Sequence, residues 1–177
     1  NPRVRKLWSD ALKEFLTAFE QAKHNRRGAM RLPINQSEIE YDKLNDILIL
    51  KGPGHKLRLT DASSGFQSFV PLYLVSEYLA RTVQEQSQHS QQPMSADELT
   101  RFKQGVESIF ANSTLTDEQK RAALSVLSSR FNKTAFINIV EEPEQNLFPS
   151  SQWDILQSLL AFNNQGPHNR LVLTTHS

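Results

Sequence analysis

Phe136-Ile137-Asn138-Ile139-Val140-Glu141-Glu142-Pro143, followed a helix-length later by Leu171-Val172-Leu173-Thr174-Thr175-His176-Ser177, is the stretch that decides the fold class. Phe136 to Val140 is rich in β-branched residues and apolar except at Asn138, the pattern of a strand buried on both faces. Leu171 to Thr175 predicts a second buried strand. Between them, Trp153, Ile155, Leu156, Leu159 and Leu160 recur at helical spacing over residues 151–162. Pro143 and Pro149 bound the turn before this helix, and Gly166-Pro167 breaks it. Strand, helix, strand at these lengths predicts a parallel pair with a right-handed crossover. The expected class is therefore α/β, with a parallel sheet and flanking helices.

Outward from this core the period changes. Val4, Leu7, Trp8, Ala11, Phe15, Ala18, Phe19 and Ala22 predict an amphipathic helix with one buried stripe within residues 1–28, ending at Arg26-Arg27-Gly28. The basic pair reads as a solvated helix terminus. Residues 37–60 read as short strands: Ile39 and Tyr41, then Ile47 to Leu50, then Leu57 and Leu59, with Gly52-Pro53-Gly54 as a β-hairpin turn. Residues 61–83 predict a helix that starts either at Gly65, with a kink, or near Val70, with Pro71 in its first turn. Residues 84–93 carry no apolar anchor and read as a flexible linker. Residues 94–131 predict a small helical insertion of two helices, opened by the capping boxes Ser95 with Glu98 and Thr116 with Gln119.

Composition narrows the function. The chain has 177 residues, 20 Lys and Arg against 19 Asp and Glu, and a net charge of +1. That balance argues against non-specific nucleic-acid binding as the main task. Zero cysteines exclude a disulfide scaffold and a cysteine nucleophile, and the five histidines show no zinc-ligand spacing. No apolar run is long enough to span a membrane. The start at Asn1-Pro2-Arg3-Val4 without an initiator Met, and the stop just after an apolar run, lead us to expect a piece of a longer protein.

In an open parallel sheet, ligands bind beyond the carboxyl ends of the strands. Glu141 and Glu142 directly follow the first strand and His176 the second, so two carboxylates and an imidazole are expected at one sheet edge. Such a set suits a hard cation, a water to be deprotonated and charge developing on phosphate. Singly each has a plain explanation: solvated acids near a helix start, a surface histidine, and a helix cap at Ser63-Ser64-Gly65. Their order along the chain is what gives them weight together.

Ile139-Val140-Glu141-Glu142-Pro143-Glu144-Gln145-Asn146-Leu147-Phe148-Pro149 resembles the extended Walker B and D-loop segment of ABC-type ATPases, nearest the RecF-, SMC- and OLD-like AAA group. Thr174-Thr175-His176-Ser177 resembles their switch-histidine motif, and Ser63-Ser64-Gly65-Phe66-Gln67 is similar to the signature motif, usually Leu-Ser-Gly-Gly-Gln. The likeness covers roughly Asp46 to the end. It implies a partial P-loop NTPase fold, with residues 135–177 as the Walker B to switch-histidine segment and residues 61–83 as the signature helix. It further implies a cytoplasmic ATPase using ATP and Mg²⁺. Glu141 would hold Mg²⁺ through water, Glu142 would be the general base, and His176 would contact the γ-phosphate. Ser63, Ser64 and Gly65, with Gln67 nearby, would face ATP bound on a partner subunit, giving a homodimer through an ATP sandwich. DNA or an effector protein would be further partners.

The chain departs from that pattern in three places. It contains no Gly-x-x-x-x-Gly-Lys-Ser/Thr, so the Walker A loop is expected upstream of Asn1 or on another chain. Phe66 stands where a second Gly is usual, and Phe148 where a His is frequent. Two other functions compete: a non-catalytic nucleotide-switched interaction module, and a metal-dependent nuclease or phosphatase using Glu141, Glu142, Glu144 and His176.

Overall fold

The computed structural model describes residues 2–26, 28–88, 94, 96–129, 131 and 133–175, with backbone alone at 2–9, 86–88 and 129. The candidate residue His176 lies outside the described residues, as do Arg27, the cap at Ser95, linker residues 89–93 and the Val4, Leu7 and Trp8 side chains. The chain divides into two compact units. One comprises residues 1–81 and 136–177, and the other residues 82–135.

Helix α1 (Pro2–His24) enters the first unit and ends in a basic turn, with Gly28 at φ 81° beyond it. The strands β1 (Met30–Arg31), β2 (Glu38–Asp42), β3 (Ile47–Gly52) and β4 (His55–Arg58) follow as an antiparallel meander in the order β1-β2-β3-β4. Tyr41 pairs with Leu48 and Ile39 with Leu50; Leu50 pairs in turn with Leu57, so these side chains share one face. Ile39 and Leu50 are fully buried. The next rows, Glu38 with Lys51 and Lys56, and Glu40 with Ile49 and Arg58, lie on the other face. The Pro53-Gly54 turn closes the expected hairpin, Gly54 taking a positive φ of 77° that costs glycine nothing.

The larger sheet is therefore antiparallel, extending the hairpin expected at Gly52-Pro53-Gly54, and parallel pairing is confined to a two-stranded sheet near the carboxyl end. Sequence reading also passed over β1. Its two residues are too few to show a period, and the turn to β2 uses Asn35 and Gln36 at φ 53° and 48° without a glycine. Leu59 was expected in a strand but sits in a 3-10 turn, Leu59–Asp61, that leads into the next helix.

Helix α2 (Ser64–Gln88) starts at the earlier of the two expected points and runs through Pro71. An interior proline costs about 3 kcal/mol. The burial of Phe69, Val70, Leu74, Val75 and Tyr78 around it supplies enough apolar contact to offset that loss. The helix also continues across residues 84–88, expected in the linker. In the second unit, α3 (Ala96–Ala111) and α4 (Asp117–Ser129) pack on each other. The capping box at α4 forms as read: Gln119 N–H donates to Thr116 Oγ1 at 3.3 Å, and Thr116 N–H to Gln119 Oε1 at 2.9 Å.

The chain returns to the first unit with β5 (Ile137–Glu141), α5 (Pro149–Asn163) and β6 (Arg170–Thr174). Strands β5 and β6 pair in parallel as expected, with Ile139 opposite Val172 and Glu141 opposite Thr174. Full burial does not follow. Val140 is buried, Asn138 donates to Ser76 Oγ of α2 at 2.7 Å, and Leu171 and Leu173 pack on the core with Ile155 and Leu159 of α5. The opposite face is bare: Ile137 is 67% exposed, Ile139 70% and Val172 47%. Nothing among the described residues covers it.

Arg26 corrects a smaller reading. Its guanidinium donates to Glu77 Oε2 at 2.7 Å and is largely buried, so it fastens α1 to α2 rather than ending in solvent.

Candidate functional site

The carboxyl ends of β5 and β6 lie side by side, and the turn after β5 is where the candidate groups gather. Glu141 ends β5 on its exposed face, by alternation with Ile137 and Ile139. Glu142 adopts φ 49°, the left-handed region that costs a residue with a β-carbon roughly 1–2 kcal/mol. Its N–H donates to Thr174 O at 2.9 Å, which carries the ladder one step past the last strand pair. Glu142 O then accepts from Gln145 N–H at 3.1 Å, so the chain reverses at once. The half-buried Glu142 is thus set off the strand alternation by its backbone and held there by two main-chain bonds.

Asn146, also left-handed at φ 61°, completes the turn. Gln152 of α5 donates to Glu144 O at 3.2 Å and Leu147 O at 3.0 Å, pinning the turn to the first helical coil. Glu144 Oε1 accepts from Thr175 Oγ1 at 2.6 Å, joining the turn to the residue after β6. An open cavity of about 350 Å³ lies at this end, with Pro143, Pro149, Trp153, Leu156 and Leu173 as apolar walls and Glu144, Thr174 and Thr175 as polar ones.

The start of α2 meets the same turn. A β-carbon on Gly65 would stand 2.5 Å from Asn146 O and 2.9 Å from Leu147 Cδ2, so only glycine permits this approach. Gly65 is buried, while Ser63 and Ser64 are exposed at the helix mouth, where backbone N–H groups favour an anion. Gln67 turns back on its own loop, donating from Nε2 to Thr60 O at 3.1 Å and Ala62 O at 2.8 Å. Phe66, at the place of the usual second glycine, packs on the core as an anchor for the helix start.

Of the residues singled out from sequence, the structure brings Glu141, Glu142 and Gly65 to one turn and its neighbours, with Ser63 and Ser64 directly before Gly65. His176 follows Thr175 outside the described residues. The pairing of Glu144 with Thr175 escaped sequence reading. A role for the acid came into view only as one of four metal ligands, and Thr175 was read as the end of an expected strand leading into His176. Among the described residues, no three His, Asp or Glu side chains converge to hold a metal. A comparison with protein-family models, curated proteins and solved structures finds no match to this chain.

Proposed function

We propose that this chain supplies the carboxyl-terminal part of an ABC-type ATPase head of the RecF-, SMC- and OLD-like group, which binds and hydrolyses ATP and couples head dimerisation to a partner or effector domain. The observation that carries this reading is the turn after β5. A parallel strand delivers Glu141 to its end, the backbone then holds Glu142 in a left-handed conformation, and Gly65 of α2 packs on the same turn. Costly backbone conformations persist where surrounding structure enforces them, and they cluster at functional sites.

In this reading Glu142 is the general base that orients and deprotonates the attacking water, and Glu141 contributes to holding Mg²⁺. The cation supplies charge neutralisation at the phosphates when bound. Glu141 is exposed at the strand end, open to a hydrated ion. Ser63, Ser64 and Gly65 present a hydroxyl and main-chain N–H groups to phosphate held by a second head, and His176 contacts the transferring phosphoryl group. The phosphate-cradling loop lies on polypeptide outside residues 1–177. Phosphoryl transfer asks mainly for positioning and electrostatic stabilisation, which these residue types provide. The bare apolar face of β5 and β6 supports the same reading, because parallel strands are ordinarily covered on both sides.

The test is Glu142→Gln in the full-length protein. Loss of a general base lowers turnover by about 10²–10⁴-fold. ATP binding is expected to survive, with a nucleotide-trapped dimer visible by light scattering. Unimpaired hydrolysis overturns the assignment. Wild-type protein that binds ATP without turnover points to the nucleotide-switched module.

A further inference from the structure

Building on the ATPase reading, we propose that Glu144 is a positioning residue, whose carboxylate tethers the turn after β5 to the chain leaving β6 and thereby fixes Glu142 against the end of β6. Two of the ties between the strand ends bear on this. One is main-chain, Glu142 N–H to Thr174 O at 2.9 Å. The other is the Thr175 hydroxyl donating to Glu144 Oε1 at 2.6 Å, across 31 residues of sequence. A hydroxyl on a carboxylate at that length is a charge-assisted bond, stronger and more directional than one between neutral groups.

Position gives this bond its leverage. Glu144 lies two residues past Glu142 in the same turn, and one residue of chain spans only about 3.3–3.6 Å, so a displaced Glu144 carries Glu142 with it. At its other end Glu144 is not free to drift. Its carbonyl accepts from Gln152 of α5 and from Leu147 N–H, and Pro143 before it fixes φ. The turn that carries Glu142 is therefore rigid, and Glu144 transmits that rigidity to the neighbouring strand end. Thr175 is exposed, so the tether contributes little to the core and acts chiefly on geometry.

The role asks Glu144 for an acceptor oxygen, not for a charge that binds metal or moves a proton. Glu144→Gln keeps an acceptor and Thr175→Ser keeps the hydroxyl, so both are expected to retain most of kcat in the full-length protein. Glu144→Ala and Thr175→Val break the tether. Each is expected to lower kcat about ten- to hundredfold, the scale of a misplaced reacting group, with KM for ATP unchanged. The double variant is expected to be no slower than either single one, because both remove the same bond. Hydrogen–deuterium exchange gives a readout independent of turnover: the Ala and Val variants raise exchange over residues 143–147 and 171–175, and the Gln and Ser variants do not.

Wild-type kcat in Glu144→Ala overturns the proposal. So does a Gln variant as slow as the Ala variant, which makes the charge itself the active element. If the wild-type protein lacks turnover while the exchange pattern holds, the ATPase reading fails and the tether stands as a structural device. If exchange is also unchanged, the tether itself is refuted.

Discussion

The antiparallel meander β1–β4 and the parallel pair β5–β6 have similarly apolar strands and opposite fates. In the meander, side chains alternate between a buried row at Ile39 and Leu50 and a charged row at Glu38, Lys51 and Lys56, so one layer of helix and loop satisfies it. In the pair, apolar residues point to both faces, yet α2 and α5 with the rest of the core reach one side only, leaving Ile137, Ile139 and Val172 open. The meander is complete within this unit. The pair has the composition of a sheet meant to be covered twice, and its ends carry the candidate chemistry.

The sharpest way to break this comparison is to truncate an aliphatic side chain in each region. Leu50→Ala, at a site 2% exposed in β3, is expected to cost about 2–5 kcal/mol in a denaturant titration. Ile139→Ala, on the bare face, is expected to stay within about 0.5 kcal/mol of wild type. Equal losses would mean that the face is already covered in solution. A large loss for Ile139→Ala only when further polypeptide is attached would identify what covers it.

Gly65→Ala tests the point where α2 meets the acidic turn. Its β-carbon meets backbone at Asn146 rather than a yielding side chain, so we expect a loss of about 1–3 kcal/mol by thermal melting, an overpacking cost. A neutral result would mean that the turn yields freely, which removes the rigidity assigned to Glu142.

A smaller effect is expected at the fastening of α1 to the meander. The buried Lys23 donates to Asp46 at 3.1 Å, pairs with Glu20 at 2.9 Å, and lies over the rings of Phe19 and Tyr41. Burial alone lowers the Lys23 pKa, but Glu20 and Asp46 more than offset it and leave it raised above the ordinary 10.5. Its contribution is present below that value and is lost as pH rises through the raised one. The Tyr41 hydroxyl and Lys23 hold Asp46 below its ordinary 3.8, so that contribution is present above 3.8 and lost as pH falls through the lowered value. Lys23→Met is expected to cost about 1–2 kcal/mol near neutral pH and to flatten the melting temperature between pH 2 and 5 relative to wild type. An unchanged acid profile would mean that Lys23 adds nothing to the stabilisation of Asp46.

Sequence legibility followed how local each signal is. The Thr116 capping box and the Gly52-Pro53-Gly54 turn need only neighbours a few residues apart, and both formed as read. The pairing of β5 with β6 followed from connection length. The β1 strand stayed hidden because its hairpin places Asn35 and Gln36 where glycine usually marks the turn. The candidate acids were visible as Glu141-Glu142 after an apolar run, but their surroundings were not. Whether a face is covered, whether Gly65 touches Asn146 and whether Glu144 reaches Thr175 depend on residues far apart in the chain, 31 positions for the last pair.

By itself, then, the sequence determined the α/β alternation, the helical pair of the second unit and the placing of two acids at a strand end, because periodicity, caps and turns act through neighbouring residues. Only tertiary structure decided that the expected hairpin extends into a four-stranded antiparallel sheet, that one face of the parallel pair lies open, and that the turn after β5 is fastened to α2, α5 and β6. Those outcomes depend on burial and hydrogen bonding between segments far apart in the chain, where no local pattern has a say.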